Sequence, residues 1–295
     1  MALFNLHFCI RNQKRIKMKH NILVIGGTGK TGRLVVENLN GLGHNVRIAG
    51  RQTIPAFDWN APETYDAILK DMDRAYIVYS PDLAVPGAKD AIQTLTEKAL
   101  QAGLDKVVLL SGKGEAEAEA CEEIVANSGL NYTIVRASWF NQNFSEGAFT
   151  DYVMAGHLAL PMPDAKIPYT DTRDIADMVT KVLLDDTFNG EIVTVTGPVK
   201  LTFQEVADII SQKLGRSIVY QPISMEEFKT GLAAAGLPEL VIWLLSYLFT
   251  EVLGHSENQT ISGDVERILQ RKPISFEEYV ENTVAAGVWN QEVVL

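Results

Sequence analysis

The residues best suited to chemistry lie in a glycine-rich turn near the start of the chain. An almost wholly apolar segment, 21–25, leads directly into Gly26, Gly27, Thr28, Gly29, Lys30, Thr31 and Gly32, and apolar residues at helical spacing follow. Glycines at this spacing allow a tight turn, the approach of a pyrophosphate and close packing of helix on strand. The helix start adds free N–H groups and a partial positive charge. The pattern predicts that these seven residues bind a dinucleotide; the alternative is a tight turn without a ligand.

A basic residue after the second predicted strand indicates which dinucleotide is bound. In NAD enzymes an acidic residue about twenty positions past the glycines usually contacts the ribose hydroxyls. This chain carries Arg51 there. A guanidinium can hold a 2′-phosphate through paired hydrogen bonds, whereas a carboxylate would repel it. We therefore expect NADP(H) to be preferred over NAD(H); a solvated loop arginine is the alternative.

Strand and helix patterns alternate along the first half of the chain and would position these residues. Short apolar segments predict strands at 21–25, 45–49, 57–59, 75–79, 106–110 and 131–136, with helical patterns between most of them. Such alternation predicts parallel strands joined by right-handed crossovers. Ligands of such sheets bind beyond the carboxyl ends of the strands. Further cofactor contacts are therefore expected from Asp58, Trp59, Tyr79, Ser80, Ser111 and Lys113.

The regular alternation ends after Phe140. Later segments predict helices at 144–156, 174–185 and 202–214, strands at 192–196 and 217–221, and mostly helix thereafter. The predicted fold class is α/β, a Rossmann doubly wound parallel sheet with a small, mostly helical C-terminal lobe. We assign residues 1–20 to a disordered leader, 21–140 to a dinucleotide-binding core, and 141–295 to a substrate lobe interleaved with the last core strands.

Composition and charge argue against several other classes of function. The formal net charge is −11 and no basic run offsets it, so no nucleic acid is expected as a partner. The most apolar run, 241–249, is about half as long as a membrane-spanning helix; it predicts a buried helix or a contact in a homodimer, and no membrane association. The two cysteines fit a reducing, cytoplasmic setting. A solvated helix face, with no metal site, is predicted for the acidic residues Glu115, Glu117, Glu119, Glu122 and Glu123.

Several segments together resemble the NmrA-like family of atypical short-chain dehydrogenases/reductases. Beside the glycine turn, they are 128–136, 139–144, 171–176 and 196–198. Two further segments, 201–207 and 214–216, resemble the branch that holds festuclavine and agroclavine dehydrogenases, and the chain is also similar to NAD(P)H quinone oxidoreductases. The resemblance implies a Rossmann core, a small C-terminal lobe, NADP(H) binding and a cleft between core and lobe. The family also includes NmrA itself, a dinucleotide-binding regulator that is not a working reductase.

One expected catalytic pair is missing. Standard short-chain dehydrogenases carry Tyr-x-x-x-Lys on the helix after the fifth strand, but here 111–123 has no Tyr and its only Lys, Lys113, lies in the loop. Hydride transfer to a quinone or an iminium ion needs less assistance from the protein than carbonyl–alcohol exchange, because the acceptor is already electrophilic. Ser111 and Lys113 are therefore the catalytic candidates, Lys113 toward the ribose or a developing oxyanion. Expected substrate-pocket residues are Trp139, Phe140, Asn141, Asn143 and Tyr169, for which a core position is the alternative.

These observations predict an NADP(H)-dependent reductase that transfers hydride to a small electrophile of the quinone, iminium or enone type. The alternative is a non-catalytic, NmrA-like dinucleotide sensor that binds a protein partner. A closed apolar cleft beside the nicotinamide would favour the enzyme, and a filled cleft or a large exposed patch would favour the sensor.

Overall fold

The central element is a six-stranded, wholly parallel sheet. The computed structural model describes residues 19–290, so the predicted leader lies almost entirely outside the described residues. The strands of this sheet are β1 Asn21–Ile25, β2 Asn45–Ala49, β3 Arg74–Ile77, β4 Lys106–Gly112, β5 Asn131–Ala137 and β7 Glu191–Val195. Their order in the sheet is β2-β1-β3-β4-β5-β7. The order reverses at β1, because β2 pairs with one edge of β1 and β3 with the other. Such a reversal opens a crevice at the carboxyl ends of the strands. The predicted doubly wound sheet is confirmed.

Helices cover both faces of the sheet, which explains why its strands are apolar almost throughout. In β1, Ile22 and Val24 face one layer and Leu23 and Ile25 face the other, since successive side chains of a strand point to opposite sides. One layer holds α2 Tyr65–Leu69, α3 Ala88–Gln101 and α4 Ala116–Ala126. The other holds α1 Gly32–Gly41, α6 Thr172–Leu184 and α10 Asp264–Leu269.

A second, smaller lobe contains the remaining elements. Its two parallel strands are β6 His157–Leu160 and β8 Val219–Pro222. Its helices are α5 Thr150–Ala155, α7 Phe203–Leu214, α8 Met225–Ala234, α9 Glu239–Tyr247 and α11 Phe276–Ala285. Helix α9 continues into a π-helical turn, Leu248–Leu253. Across residues 19–290, none of the helices combines the length and apolarity needed to cross a membrane.

Two predicted elements were wrong in detail. Residues 57–59 form no strand, because Asp58 organises a turn: its Oδ1 accepts from the Asn60 amide and its own amide donates to Thr64 Oγ1. The predicted helix at 144–156 is a 3-10 turn, Asn141–Phe144, and then the short α5. Gly156 ends α5 with a φ of 76°, and β6 begins at the next residue, which the sequence patterns did not predict.

Candidate functional site

The glycine turn lies at the carboxyl end of β1, where the strand order reverses. A Cβ at position 32 would lie 2.2 Å from the Gly26 oxygen, and one at position 27 would lie 2.7 Å from Ile48 Cγ2. Gly32 and Gly27 are therefore required by the packing of α1 and β2 against the turn. Gly29 differs, because a Cβ there would meet only the Gly26 oxygen, at 3.2 Å, and the residue is exposed. The approach of a ligand is the remaining reason for a glycine at position 29.

The start of α1 fits a dinucleotide diphosphate. Its first turn contains no acidic residue to neutralise the partial positive charge of the helix start. Among the hydrogen bonds of the described part of the chain, none engages the backbone amides of Lys30 or Thr31. The Thr31 hydroxyl accepts from the buried Tyr76 hydroxyl at 3.0 Å, which holds the turn on β3. The donors and the charge of this turn are those that phosphate groups require.

Lys30 connects the turn to the segment after β5. Its Nζ donates to Asn143 Oδ1 at 3.1 Å, and Gly147 packs so closely on this ammonium group that a Cβ there would lie 2.7 Å from it. Arg33 forms an ion pair with Glu146 at 2.8 Å on the same segment. Burial lowers the pKa of Lys30 below its ordinary value, while Glu146 acts in the opposite direction. Residues 143–147 are thus held against the helix start.

A cavity of about 350 Å³ opens beside this contact, at the carboxyl ends of β3, β4 and β5. Seven residues singled out from the sequence line it together: Lys30, Tyr79, Ser111, Lys113, Trp139, Phe140 and Asn143. Burial lowers the pKa of Lys113, and Arg136 lowers it further; its Nζ donates to the Asn258 carbonyl at 2.6 Å. The Ser111 hydroxyl donates to Glu122 Oε1 at 2.6 Å.

Two residues expected in the substrate pocket lie in the core instead. Tyr169 is 2% exposed and packs edge-on against Phe144 within the lobe's core, so it does not line this cavity. Asn141 is fully buried, and its amide N–H donates to the Thr170 carbonyl. Asn141 comes soon after the end of β5, but it begins a 3-10 turn, and its side chain is buried in the interior.

The other expected cofactor residues lie in the segments that follow β2 and β3. Arg51 is exposed in the turn that follows β2, and Asp58 lies in the turn described above. Trp59 packs on Tyr79, with ring centroids 4.7 Å apart, so it supports a side chain of the cavity wall. Ser80 follows Tyr79 and precedes a cis peptide bond to Pro81.

A pair of carboxyl groups on the cavity wall was missed. Asp82, in the loop after β3, and Glu115, just before α4, line the cavity and form a hydrogen bond with each other. The predicted solvated acidic face is wrong for Glu115 and Glu122, which are 8% and 3% exposed. The sequence spacing could have predicted this burial, because Glu115, Ala118 and Glu122 fall on one face of a helix. All three residues are buried.

The Glu122 carboxylate can be buried because an arginine and a serine form hydrogen bonds with it. Arg136, on β5, donates through Nε and Nη2 to both Glu122 oxygens at 2.6–3.0 Å. With the Ser111 hydroxyl this makes a fully engaged carboxylate beneath the cavity. The arrangement fixes Ser111, which faces both Glu122 and the cavity.

The apolar run at 241–249 provides the roof of the cavity. Leu244, Leu245, Leu248 and Val252 from α9 and the π-helical turn line it. The opposite side of the helix is more open, and Trp243 is 43% exposed. The cavity therefore lies between the strand ends of the sheet and this part of the C-terminal lobe.

Comparisons with known proteins agree with this geometry. A model of the NmrA-like family matches residues 116–280. Prestalk A differentiation protein A of Dictyostelium discoideum is 30% identical over 282 residues, covering 90% of this chain and 93% of that protein. Agroclavine dehydrogenase of Claviceps fusiformis is 25% identical over 291 residues, covering 91% and 98%. The structure of an NADPH-dependent quinone oxidoreductase from Escherichia coli, complexed with NADPH, superimposes with a TM-score of 0.72 at 19% identity, covering 89% and 99%.

The family match includes α4, β5, α6, β7 and most of the second lobe, so it extends over both the sheet and the roof of the cavity. It spans more than half of the chain, and the resemblance seen in the sequence is thereby confirmed. The chain belongs to the NmrA-like family.

Proposed function

We propose that this protein is an NADP(H)-dependent reductase that transfers hydride to a small electrophile of the quinone, iminium or enone type. The observation that carries the proposal is the direct connection of the glycine turn, through Lys30, to a cavity at the strand ends. A dinucleotide on the turn extends along these strand ends, where the substrate of an open α/β sheet binds. The cavity, about 350 Å³, is large enough for a small ligand.

The residues that would hold the cofactor fit its parts. The turn and Lys30 would bind the diphosphate, Arg51 would bind the 2′-phosphate, and Lys113 would contact the ribose or the acceptor. The cofactor would supply a hydride from its reduced nicotinamide. The protein's part is to position the acceptor against apolar and aromatic walls, including Trp139 and Phe140, and to keep water out beneath α9.

The names of two of the three relatives reported above support this class of reaction. Agroclavine dehydrogenase and the NADPH-dependent quinone oxidoreductase are both named as redox enzymes, and both align with nearly the whole chain. The cleft is not filled by side chains: it holds a cavity of about 350 Å³ with an apolar roof, which favours an enzyme over a sensor with a filled cleft.

NADPH fluorescence in a single cuvette tests the proposal. Protein is added first, then a panel of quinones, enones and iminium salts, with a Gly29→Glu variant as the control that cannot accept a diphosphate. We expect a fluorescence change on binding and faster decay with at least one acceptor than in the variant. NADPH that binds but stays intact with every acceptor would instead support a dinucleotide sensor. The absence of binding would contradict both functions.

A further inference from the structure

Two carboxyl groups, those of Asp82 and Glu115, lie on the wall of the cavity. Asp82 and Glu115 are in hydrogen-bonding contact, and both line the cavity. Two ionised carboxylates in hydrogen-bonding contact repel each other, which favours a state in which one of them keeps a proton. The pair lies at the carboxyl ends of β3 and β4, next to the strand ends that carry Tyr79 and Ser111.

The surroundings assign the proton to Glu115. Burial raises the pKa of Asp82, but the Ala84 amide, which donates to Asp82 Oδ1 at 2.8 Å, opposes this shift by stabilising a negative charge on Asp82. Glu115 is 8% exposed, and burial, followed by the nearby Asp82 charge, raises its pKa well above the ordinary value. Among the described residues, the other charged or titratable groups that face the pair are Glu117, Cys121, Glu122 and Tyr247, with Lys30, Tyr79 and Lys113 on the cavity walls.

Gly112 creates the space for this carboxyl group. A Cβ at position 112 would lie 1.8 Å from Glu115 Oε1 and 2.1 Å from its carboxyl carbon. Glu115 precedes α4 but makes no side-chain cap on that helix. Its side chain instead folds back over the end of β4, toward the cavity. Gly112 has no positive φ, so the backbone conformation does not require a glycine at this position. The glycine is required by the space that the Glu115 carboxyl group occupies.

We propose that Glu115 is the catalytic acid of this site, protonating the oxygen of a quinone or enone acceptor as hydride arrives at the acceptor. The proposal rests on the proposed function and narrows its substrate class. The acceptor gains two electrons with the hydride, the cofactor is oxidised, and the carboxylic O–H of Glu115 breaks as the new O–H of the product forms. The ionised pair then takes a proton from solvent through Asp82, which is only half-buried. An iminium acceptor gains no negative charge and needs no such proton.

Matched substitutions separate this function from simple damage. Glu115→Gln keeps size and hydrogen bonding but cannot transfer a proton. Gly112→Ala keeps the acid but displaces its carboxyl group, because the added methyl meets the end of a flexible side chain. Glu123→Gln, an exposed position on the same helix, is the control. We expect both test variants to lower kcat about 100-fold with 1,4-benzoquinone and to leave the reduction of a cyclic iminium salt nearly unchanged.

A second measurement needs neither cofactor nor acceptor. In ¹³C NMR of the free protein labelled at carboxyl carbons, we expect one Glu signal to titrate well above the usual range, to vanish in Glu115→Gln and to titrate lower in Asp82→Asn. The wild-type rate with benzoquinone should fall as pH rises through the same transition.

The outcomes are distinct. Unchanged benzoquinone rates in Glu115→Gln, equal losses with both acceptors, or a Glu115 signal in the ordinary range would each overturn the proposal. If the protein reduces the iminium salt but not benzoquinone, the reductase function is supported and the proposed proton transfer from Glu115 is contradicted. Intact NADPH with every acceptor would remove the reductase function and the proposal together.

Discussion

The Nζ atom of Lys30 lies 3.1 Å from Oδ1 of Asn143, which joins the glycine turn after β1 to the segment after β5. The two residues are 113 positions apart in the chain. Both line the cavity, so this contact lies where the diphosphate and acceptor parts of the site meet. A half-buried ammonium group with a neutral partner retains capacity to interact with an anion.

Replacing Lys30 should therefore weaken cofactor binding. We expect Lys30→Met to raise the Kd for NADPH about tenfold, which is the loss of roughly 1.4 kcal/mol. Since bound phosphate would favour the charged ammonium, wild-type affinity should also fall as pH rises through the lowered pKa of Lys30, and the variant should lack this pH dependence. Fluorescence titration measures both effects. Lys200→Met, an exposed position in another loop, should behave like the wild type.

Arg51 should decide between the two dinucleotides. Arg51→Asp is expected to weaken NADPH binding by about 100-fold and NADH binding by only a few-fold, because the new carboxylate repels a 2′-phosphate. Lys200→Asp makes the same change in net charge at a remote exposed position and controls for it. Parallel titrations with NADPH and NADH provide the comparison. Equal changes for both cofactors would assign the 2′-phosphate to another group.

Two glycines of the turn should respond differently to the same substitution. Gly32→Ala brings a methyl group to 2.2 Å from the Gly26 oxygen, so both thermal stability and NADPH binding should decrease. Gly29→Ala creates only one contact, at 3.2 Å, and should fold with nearly the wild-type Tm while binding NADPH at least tenfold more weakly. Thermal unfolding and fluorescence titration of both variants test this contrast. Normal binding by Gly29→Ala would mean that the phosphates do not approach this residue.

The ion pair beneath the cavity should contribute to stability. Arg136→Met leaves the carboxylate of Glu122, which is 3% exposed, without its charged partner, and we expect a loss of about 3 kcal/mol of unfolding free energy. The exposed Arg267, which pairs with Glu191 and Asp264, is the matched control, and Arg267→Met should cost about 1 kcal/mol or less. Urea unfolding measures both. A double variant, Arg136→Met with Glu122→Leu, should recover part of the loss, since no buried charge remains.

The pH dependence of stability should report the proton on Glu115. Because its pKa in the folded protein lies above the unfolded value, the folded state binds the proton more tightly. Its contribution to stability is present below the unfolded pKa, about 4.5, and is lost as pH rises toward the folded pKa. The Tm of the wild type should therefore fall relative to that of Glu115→Gln as pH rises from about 4.5 toward the raised pKa of Glu115. Glu123→Gln should run parallel to the wild type, and a parallel Glu115→Gln curve would contradict the raised pKa.

Local patterns in the sequence were sufficient for the core of the fold. A strand buried on both faces must be apolar throughout, so residues 21–25 were recognisable, and Gly32 had to be glycine wherever α1 follows that strand closely. The parallel sheet followed from the alternation of strands and helices. The segment 57–59 failed because three residues are too few to distinguish a strand from a loop whose turn is set by the Asp58 side chain.

Sequence alone therefore determined the glycine turn, the sheet that presents it and the family of the chain. Only the tertiary structure decided which distant residues meet. Asp82 and Glu115 are far apart in the chain, and they come together because β3 and β4 are adjacent and end at the same edge. Likewise, α9 could be recognised as apolar, but its position over the cavity depends on how the second lobe packs on the sheet. A sequence pattern reflects the environment of each residue within its own helix or strand. A site is formed by side chains from several elements, and which of these side chains come together depends on long-range packing.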